Sequence, residues 1–222
     1  MKLARTLARP LALALLALSG AVACQSDGND GAADPAKTAD KDCSGSLTGP
    51  AASAVTDLLG SDSYTTSSAH EGASGTAQDL VSEYRSKGVT GGGKVGLCWI
   101  YRSKKDLSDL TISFSFATEV PQSNKVASSF AAYKMGALAL TSSQRAVIYM
   151  ACSSTKFESD GSRQTFTIRG ETNNRYEPDG SPTEQRKNNL IVMHSGSIAL
   201  AKALDCKDDS DLPGKFIMPP KA

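Results

Sequence analysis

The sequence predicts an α+β fold: a single domain over 43–222, with an antiparallel sheet, helices on one face and two disulfides. Three observations predict it. Segment 110–117 sets Ile112, Phe114 and Phe116 against Thr111, Ser113 and Ser115, the two-residue period of a half-buried strand. Segments 50–60 and 182–204 carry apolar residues at helical spacing instead. Four cysteines, Cys43, Cys98, Cys152 and Cys206, are spread through the region between and beside these segments. Strands and helices in mixed order with few crossovers of the strand–helix–strand type point to helices on one side of an antiparallel sheet.

The chain begins with a different kind of segment. Lys2, Arg5 and Arg9, an apolar run over 11–18 and the small residues Ser19-Gly20-Ala21-Val22-Ala23 form the three parts of an export signal over 1–23. Eight apolar residues fall far short of the roughly twenty that span a bilayer. Ala21-Val22-Ala23-Cys24 resembles the bacterial lipobox, which implies cleavage before Cys24 and a diacylglyceryl group on its sulfur. Ala21-Val22-Ala23 also satisfies the small-x-small rule of the general signal peptidase, so plain secretion is the alternative. Residues 24–42 lack aromatic and branched aliphatic side chains and read as a disordered tether. A coil of that length reaches roughly 20–25 Å.

Charge narrows the partners. The whole chain has 24 Lys and Arg against 23 Asp and Glu. Removal of 1–23 takes away three cations and no acid, leaving 21 against 23. Nucleic acid needs clustered cations and is disfavoured. Membrane attachment must come from the lipid on Cys24, where each buried methylene contributes about 0.8 kcal/mol and two chains suffice.

Within the domain, Pro50 fits a first helical turn, Ala51, Ala52, Val55, Leu58 and Leu59 form one face, and Gly60 stops the helix. Residues 61–75, rich in Ser, Thr and Gly, read as a loop. Ala77, Leu80, Val81 and Tyr84 suggest a short helix over 76–86, broken at Gly91-Gly92-Gly93. Segment 95–101 reads as a strand buried on both faces, with Trp99 beside Cys98 as the expected core centre. A polar turn at 103–106 leads into strand 110–117. Val126, Phe130, Tyr133 and Ala137 fit a helical stripe, although 133–140 also fits a strand. Strands at 146–152 and 165–170 follow, and Pro182 opens a long helix to about Leu204, with Leu190, Met193, Ser197 and Ala201 on one stripe. The expected sheet thus has strands at 95, 110, 146 and 165, covered by helices at 50, 126 and 183.

Export implies an oxidising compartment in which paired cysteines persist. Four cysteines pair in three ways. Cys43 with Cys98 and Cys152 with Cys206 is favoured, because each bond then closes one half of the domain around its own helix and strands. Loops of about 55 residues are worth roughly 4 kcal/mol each by chain entropy. No second cysteine lies two to four positions from a first, so a zinc site is disfavoured. Ile112 and Phe114 lie 14 and 16 positions after Cys98, and Phe166 and Ile168 lie at the same offsets after Cys152, which points to two related halves; two antiparallel hairpins of similar length would also coincide in this way.

The lipobox, the low-complexity tether, Leu58-Leu59-Gly60, Leu97-Cys98-Trp99, the run Ala146-Val147-Ile148-Tyr149-Met150-Ala151-Cys152 and the run from Ile198 to Cys206 together resemble uncharacterised secreted lipoproteins of streptomycetes and related actinobacteria. That resemblance implies the outer face of the cytoplasmic membrane and supplies no activity, cofactor or catalytic residue.

No chemical signature stands out. The chain has two histidines, His70 in a Ser-rich loop and His194 on the final helix, the latter read as a surface or boundary residue. Gly-x-Ser-x-Gly and His-Glu-x-x-His are absent. Ser195-Gly196-Ser197 reads as a site of close helix packing, and Gly91-Gly92-Gly93-Lys94 as a turn, since it precedes a strand and lacks the Lys-Ser/Thr ending of a phosphate loop. Glu71, Glu83, Glu119, Glu158 and Glu171 offer carboxylates, with nothing to select a pair. The stretch 169–176 holds Arg175, Tyr176, Asn173 and Asn174, groups able to bind a sugar or peptide, against a plain reading as a solvated loop. The expectation is therefore a non-catalytic module with no cofactor or metal, tethered through Cys24 and binding an envelope protein, peptide or sugar. A hydrolase with an unrecognised site and a structural accessory subunit are the alternatives.

Overall fold

The structure is a computed structural model and describes residues 43–68, 72–102 and 107–222. The signal 1–23, Cys24, the tether 24–42, the turn 103–106, His70 and Glu71 lie outside the described residues. In chain order the elements are α1 (Pro50–Leu59), β1 (Thr65–Ser68), α2 (Ala73–Gly91), β2 (Val95–Tyr101), β3 (Leu110–Ala117), β4 (Ala131–Tyr133), β5 (Leu138–Thr141), β6 (Arg145–Ser154), β7 (Gln164–Asn174) and α3 (Pro182–Ala203). The seven strands form one antiparallel sheet in the order β1-β2-β3-β7-β6-β5-β4, so β7 is central.

Each strand's alternation decides its faces. Ile112 and Phe114 of β3, Ile168 and Gly170 of β7, and Ile148 and Met150 of β6 point inward and are buried under α2 and α3. Helix α3 crosses the central strands closely. A Cβ at Gly170 would lie 2.7 Å from the Phe114 ring, and one at Gly196 would lie 3.2 Å from Leu97, so the predicted close packing at Ser195-Gly196-Ser197 is present. The start of α3 is fixed by a serine cap, in which Ser181 Oγ accepts from the Glu184 amide and donates to the Glu184 carboxylate. At its first turns Asn189 Oδ1 accepts from Asn174 Nδ2 at 2.7 Å, while Asn189 Nδ2 donates to the Ser143 carbonyl, also at 2.7 Å, tying the helix to β7 and to the β5–β6 turn.

The favoured disulfides are the observed ones, Cys43–Cys98 and Cys152–Cys206, with Cα atoms 5.8 and 4.9 Å apart. The matching offsets also have a structural counterpart. Cys98 pairs with Ile112 and Cys152 with Phe166, and Ser115 faces Arg169, its equivalent residue, across the β3–β7 boundary. Such self-facing is what a local two-fold between hairpins requires. The flanking helices do not follow it, since Cys43 precedes α1 whereas Cys206 follows α3.

Several expectations are corrected. The expected helix at 126 is absent: Val126 and Phe130 pack on the outer face of the sheet, against Leu138, Leu140 and Val147, whereas Tyr133 enters the main core. Their helical spacing is therefore shared by residues on opposite sides. Gly136, at φ +58, turns the chain between β4 and β5 where a Cβ would meet the Tyr149 carbonyl oxygen at 2.6 Å. The third helix of the inner layer is α2, longer than expected, with a break at Gly88. Residues 65–68 are not loop but edge strand. The far edge, β4, is capped by the C-terminus, where the Ala222 amide donates to the Ala132 carbonyl at 3.0 Å.

Candidate functional site

Strand β2 carries a β-bulge. Gly96 pairs with Ser113 and Cys98 with Ile112, leaving Leu97 unpaired. The extra residue inverts the alternation midway, so Val95 and Leu97 face inward before it and Cys98 and Ile100 after it. This replaces the expected burial on both faces. Trp99, expected at the core centre, instead lies half-buried on the outer face, where its indole occupies the space a Gly96 side chain would need.

The register extends that position into a row. Ser67 of β1, Trp99 of β2, Thr111 of β3, Asn173 of β7 and Arg145 of β6 are successive partners across five strands, on the face opposite the helices. The next row holds Ser113 and Glu171. Val120, Val126 and Phe130 cover the other half of this face, over β5 and β6. Between Trp99 and Arg145 lies a shallow depression of about 310 Å³.

Glu171 is the electrostatic centre of the depression. Its side chain is 4% exposed and takes three cations: Lys94 Nζ and Arg169 Nη1, each 2.7 Å from Oε2, and Arg145 Nε, 3.2 Å from Oε1. Burial pushes its carboxyl up, but the bonds from Arg169 and Lys94 outweigh burial and hold it below the usual carboxylate range. Burial opposes the charge on Arg169, and the contact with Glu171 more than restores it. Arg145 also donates to Asn173 Oδ1 at 3.3 Å. Three cations around one carboxylate leave two positive charges at the surface.

The stretch 169–176 is thus mostly central strand rather than solvated loop. Of its polar groups, Asn173 faces the depression, Asn174 is buried against Asn189, Arg175 donates to the Ser108 carbonyl at 3.0 Å, and Tyr176 is exposed beneath the Arg102 guanidinium. Sequence reasoning named Trp99, Glu171 and Asn173 separately and missed Lys94, Thr111, Ser113 and Arg145 as their neighbours. The available signal was the alternation Arg169, Glu171, Asn173, which sets three polar groups on one side of a strand.

Comparison with family models, with curated proteins and with solved structures finds no match.

Other groups offer less chemistry. His194 is buried, not at the surface or boundary, because α3 is covered there by the C-terminal segment. Its Nε2 donates to the Pro213 carbonyl at 2.7 Å, and burial pushes its pKa down. It has no acidic partner among the described residues. Glu83 pairs with Lys87, Glu158 accepts from the Tyr84 hydroxyl, and Glu119 is exposed, so these carboxylates are not brought together. A larger groove of about 660 Å³ runs beside α2, but its cations are already engaged: Arg85 donates to the Lys156 and Phe157 carbonyls and Lys156 to that of Ala203. Among the described residues no three His, Cys, Asp or Glu side chains are grouped to hold a metal, and no helix is long and apolar enough to cross a membrane.

Proposed function

We propose that this chain is a lipid-anchored binding module of the cell envelope, of the kind found among secreted actinobacterial lipoproteins, which takes a ligand on the open half of its sheet. Anchoring is supported by the lipobox-like Ala21-Val22-Ala23-Cys24 and the polar tether behind it. Two disulfides in the folded region fit an oxidising, extracytoplasmic setting. The binding reading rests on one observation. An aromatic ring, two hydroxyls, an amide and a guanidinium converge on a sheet face that is left open where its other half is covered. None of these side chains is needed for the core, which lies on the opposite face.

Trp99 is the sole tryptophan of the chain, so its fluorescence reports on this face alone. With the full chain in detergent, soluble cell-envelope extract should shield Trp99 from acrylamide, and Arg145→Ala should abolish the shielding. Quenching left unchanged by every extract fraction refutes the binding reading. Anchoring is tested separately by Cys24→Ser, which should release the protein from membranes and end incorporation of labelled lipid.

A further inference from the structure

Resting on that reading of the open sheet face, we infer that its ligand is an oligosaccharide carrying acid groups. Four features of the depression select this chemistry. The first is the surface that Trp99 offers. Its indole lies over the Gly96 backbone and is fixed there, and the negative face of an aromatic ring attracts the C–H bonds on one side of a sugar ring.

The second is the state of the backbone. Along the row, Trp99, Thr111 and Asn173 each pair with a strand on both sides and the Arg145 carbonyl accepts from the Ser142 amide, so the main chain there is taken up by the sheet. A ligand on this face meets side chains only: the Thr111 and Ser113 hydroxyls, the Asn173 amide and the Arg145 fork. Such groups suit a ligand covered in hydroxyls. An extended peptide gains most of its affinity from main-chain bonds at a sheet edge, which this face lacks.

Charge supplies the third. Lys94, Arg145 and Arg169 surround the single carboxylate of Glu171 and remain 60, 44 and 25% exposed at the side chain, so solvent reaches all three. In a folded region, 43–222, with 19 basic against 18 acidic residues, this local excess of two positive charges favours an anionic ligand. Glu171 also fixes Arg145 through Nε, leaving Nη1 to meet a carboxylate of the ligand and Nη2 shared with Asn173.

The fourth is reach. Three strand spacings separate Trp99 from Arg145, about 14 Å at the usual distance between neighbouring strands. Stacking at one end and charge pairing at the other therefore need a chain of sugars rather than a single ring.

The test uses calorimetry and Trp99 emission on the full chain in detergent, with trigalacturonate, the uncharged cellotriose and triglutamate as probes. Trigalacturonate should bind saturably and change Trp99 emission. Its affinity should fall about tenfold in Trp99→Ala and in Lys94→Ala, and stay within about threefold of the parent in Trp99→Phe. It should weaken as salt is raised. Lys94 is exposed and precedes β2, so its replacement leaves the fold intact and keeps the test valid if the Trp99 variants misfold. Cellotriose binding as tightly as trigalacturonate overturns the acidic requirement. Triglutamate binding as tightly or more so makes this a peptide site and overturns the saccharide assignment. If no probe binds, the saccharide inference fails; shielding of Trp99 by envelope extract in the same preparation would show that the broader binding reading survives it.

Discussion

Replacing Glu171 with Gln tests the electrostatic design of the open face. The substitution keeps side-chain volume and removes the one anion that holds Lys94, Arg145 and Arg169 together. Exposed ion pairs contribute about 0.2–1 kcal/mol each. Removal of one partner from a fully buried pair costs about 3–5 kcal/mol. Glu171 is at the buried limit with 4% exposure, whereas its three partners range from 25 to 60% and regain water when released. A loss of about 2–3 kcal/mol at neutral pH follows. The acid dependence has a definite sign. The folded carboxyl titrates below its unfolded value, so its contribution is complete above about pH 4.3 and is lost as pH falls through the lower folded value. Urea titrations of parent and variant at pH 7 and at about pH 2 measure both quantities, urea being preferred because guanidinium would screen the charges. The gap between the two proteins should be near its full size at pH 7 and should close in acid. A gap below about 0.5 kcal/mol at pH 7, or one that acid leaves unchanged, would refute the assignment of Glu171 as the organising charge.

Two further predictions concern the scaffold. Cys152→Ser with Cys206→Ser opens a loop with a separation of 54 residues and should cost about 4 kcal/mol, with Trp99 emission unchanged below the melting transition; a loss under about 1 kcal/mol would show that this bond does not stabilise the fold. His194 is buried neutral with its pKa lowered, so its contribution is complete above its ordinary value near 6.5 and falls as acid protonates the unfolded chain first. His194→Gln, which keeps an N–H donor for the Pro213 carbonyl, should flatten the loss of stability between pH 7 and about pH 5, and an unaltered slope in denaturant titrations would dismiss the histidine as its source.

The parts of the fold legible in the sequence are those in which one local period meets one environment. Segment 110–117 alternates because one face is core and the other is solvent, and 182–204 is helical with a serine cap and a proline at its start. Four strands and two helices were read on those grounds, and both disulfides on the ground that each closes one half of the domain. Strand β1 was not, because Thr65-Thr66-Ser67-Ser68 lies at the sheet edge and carries no apolar residue to mark a face. The end of β7 read as loop for a related reason. Thr172 and Asn174 face inward yet are polar: the Ala146 amide donates to Thr172 Oγ1 at 3.0 Å and Asn174 Nδ2 donates to Asn189 Oδ1 at 2.7 Å, while Asn174 Oδ1 is left without a partner among the described residues. A sequence shows the polar residue and hides the partner that makes it burial-tolerant. The site was less legible still. Lys94 and Glu171 are 77 positions apart, and only the placement of β7 between β3 and β6 brings them into contact.

A single inserted residue accounts for both the site and the departure from symmetry. The β6–β7 ladder runs without interruption from Arg145 to Ser154, whereas the equivalent β2–β3 ladder breaks at Leu97. With unbroken alternation, Gly96 and Trp99 would lie on opposite faces of β2, since they are three positions apart. The bulge puts them on the same face and seats the indole over the glycine, while Cys98 stays inside to reach Cys43. The same step accounts for the adjacent buried pair Leu97 and Cys98, which in sequence resembles a strand covered on both sides. Position 99 has Ser153 as its counterpart in the second hairpin, so the local two-fold repeats the disulfide strand without repeating the aromatic surface. The aromatic surface is therefore confined to the hairpin in which the repeat is broken, whereas Arg145, Arg169, Glu171 and Asn173 beside it come from the unbroken one.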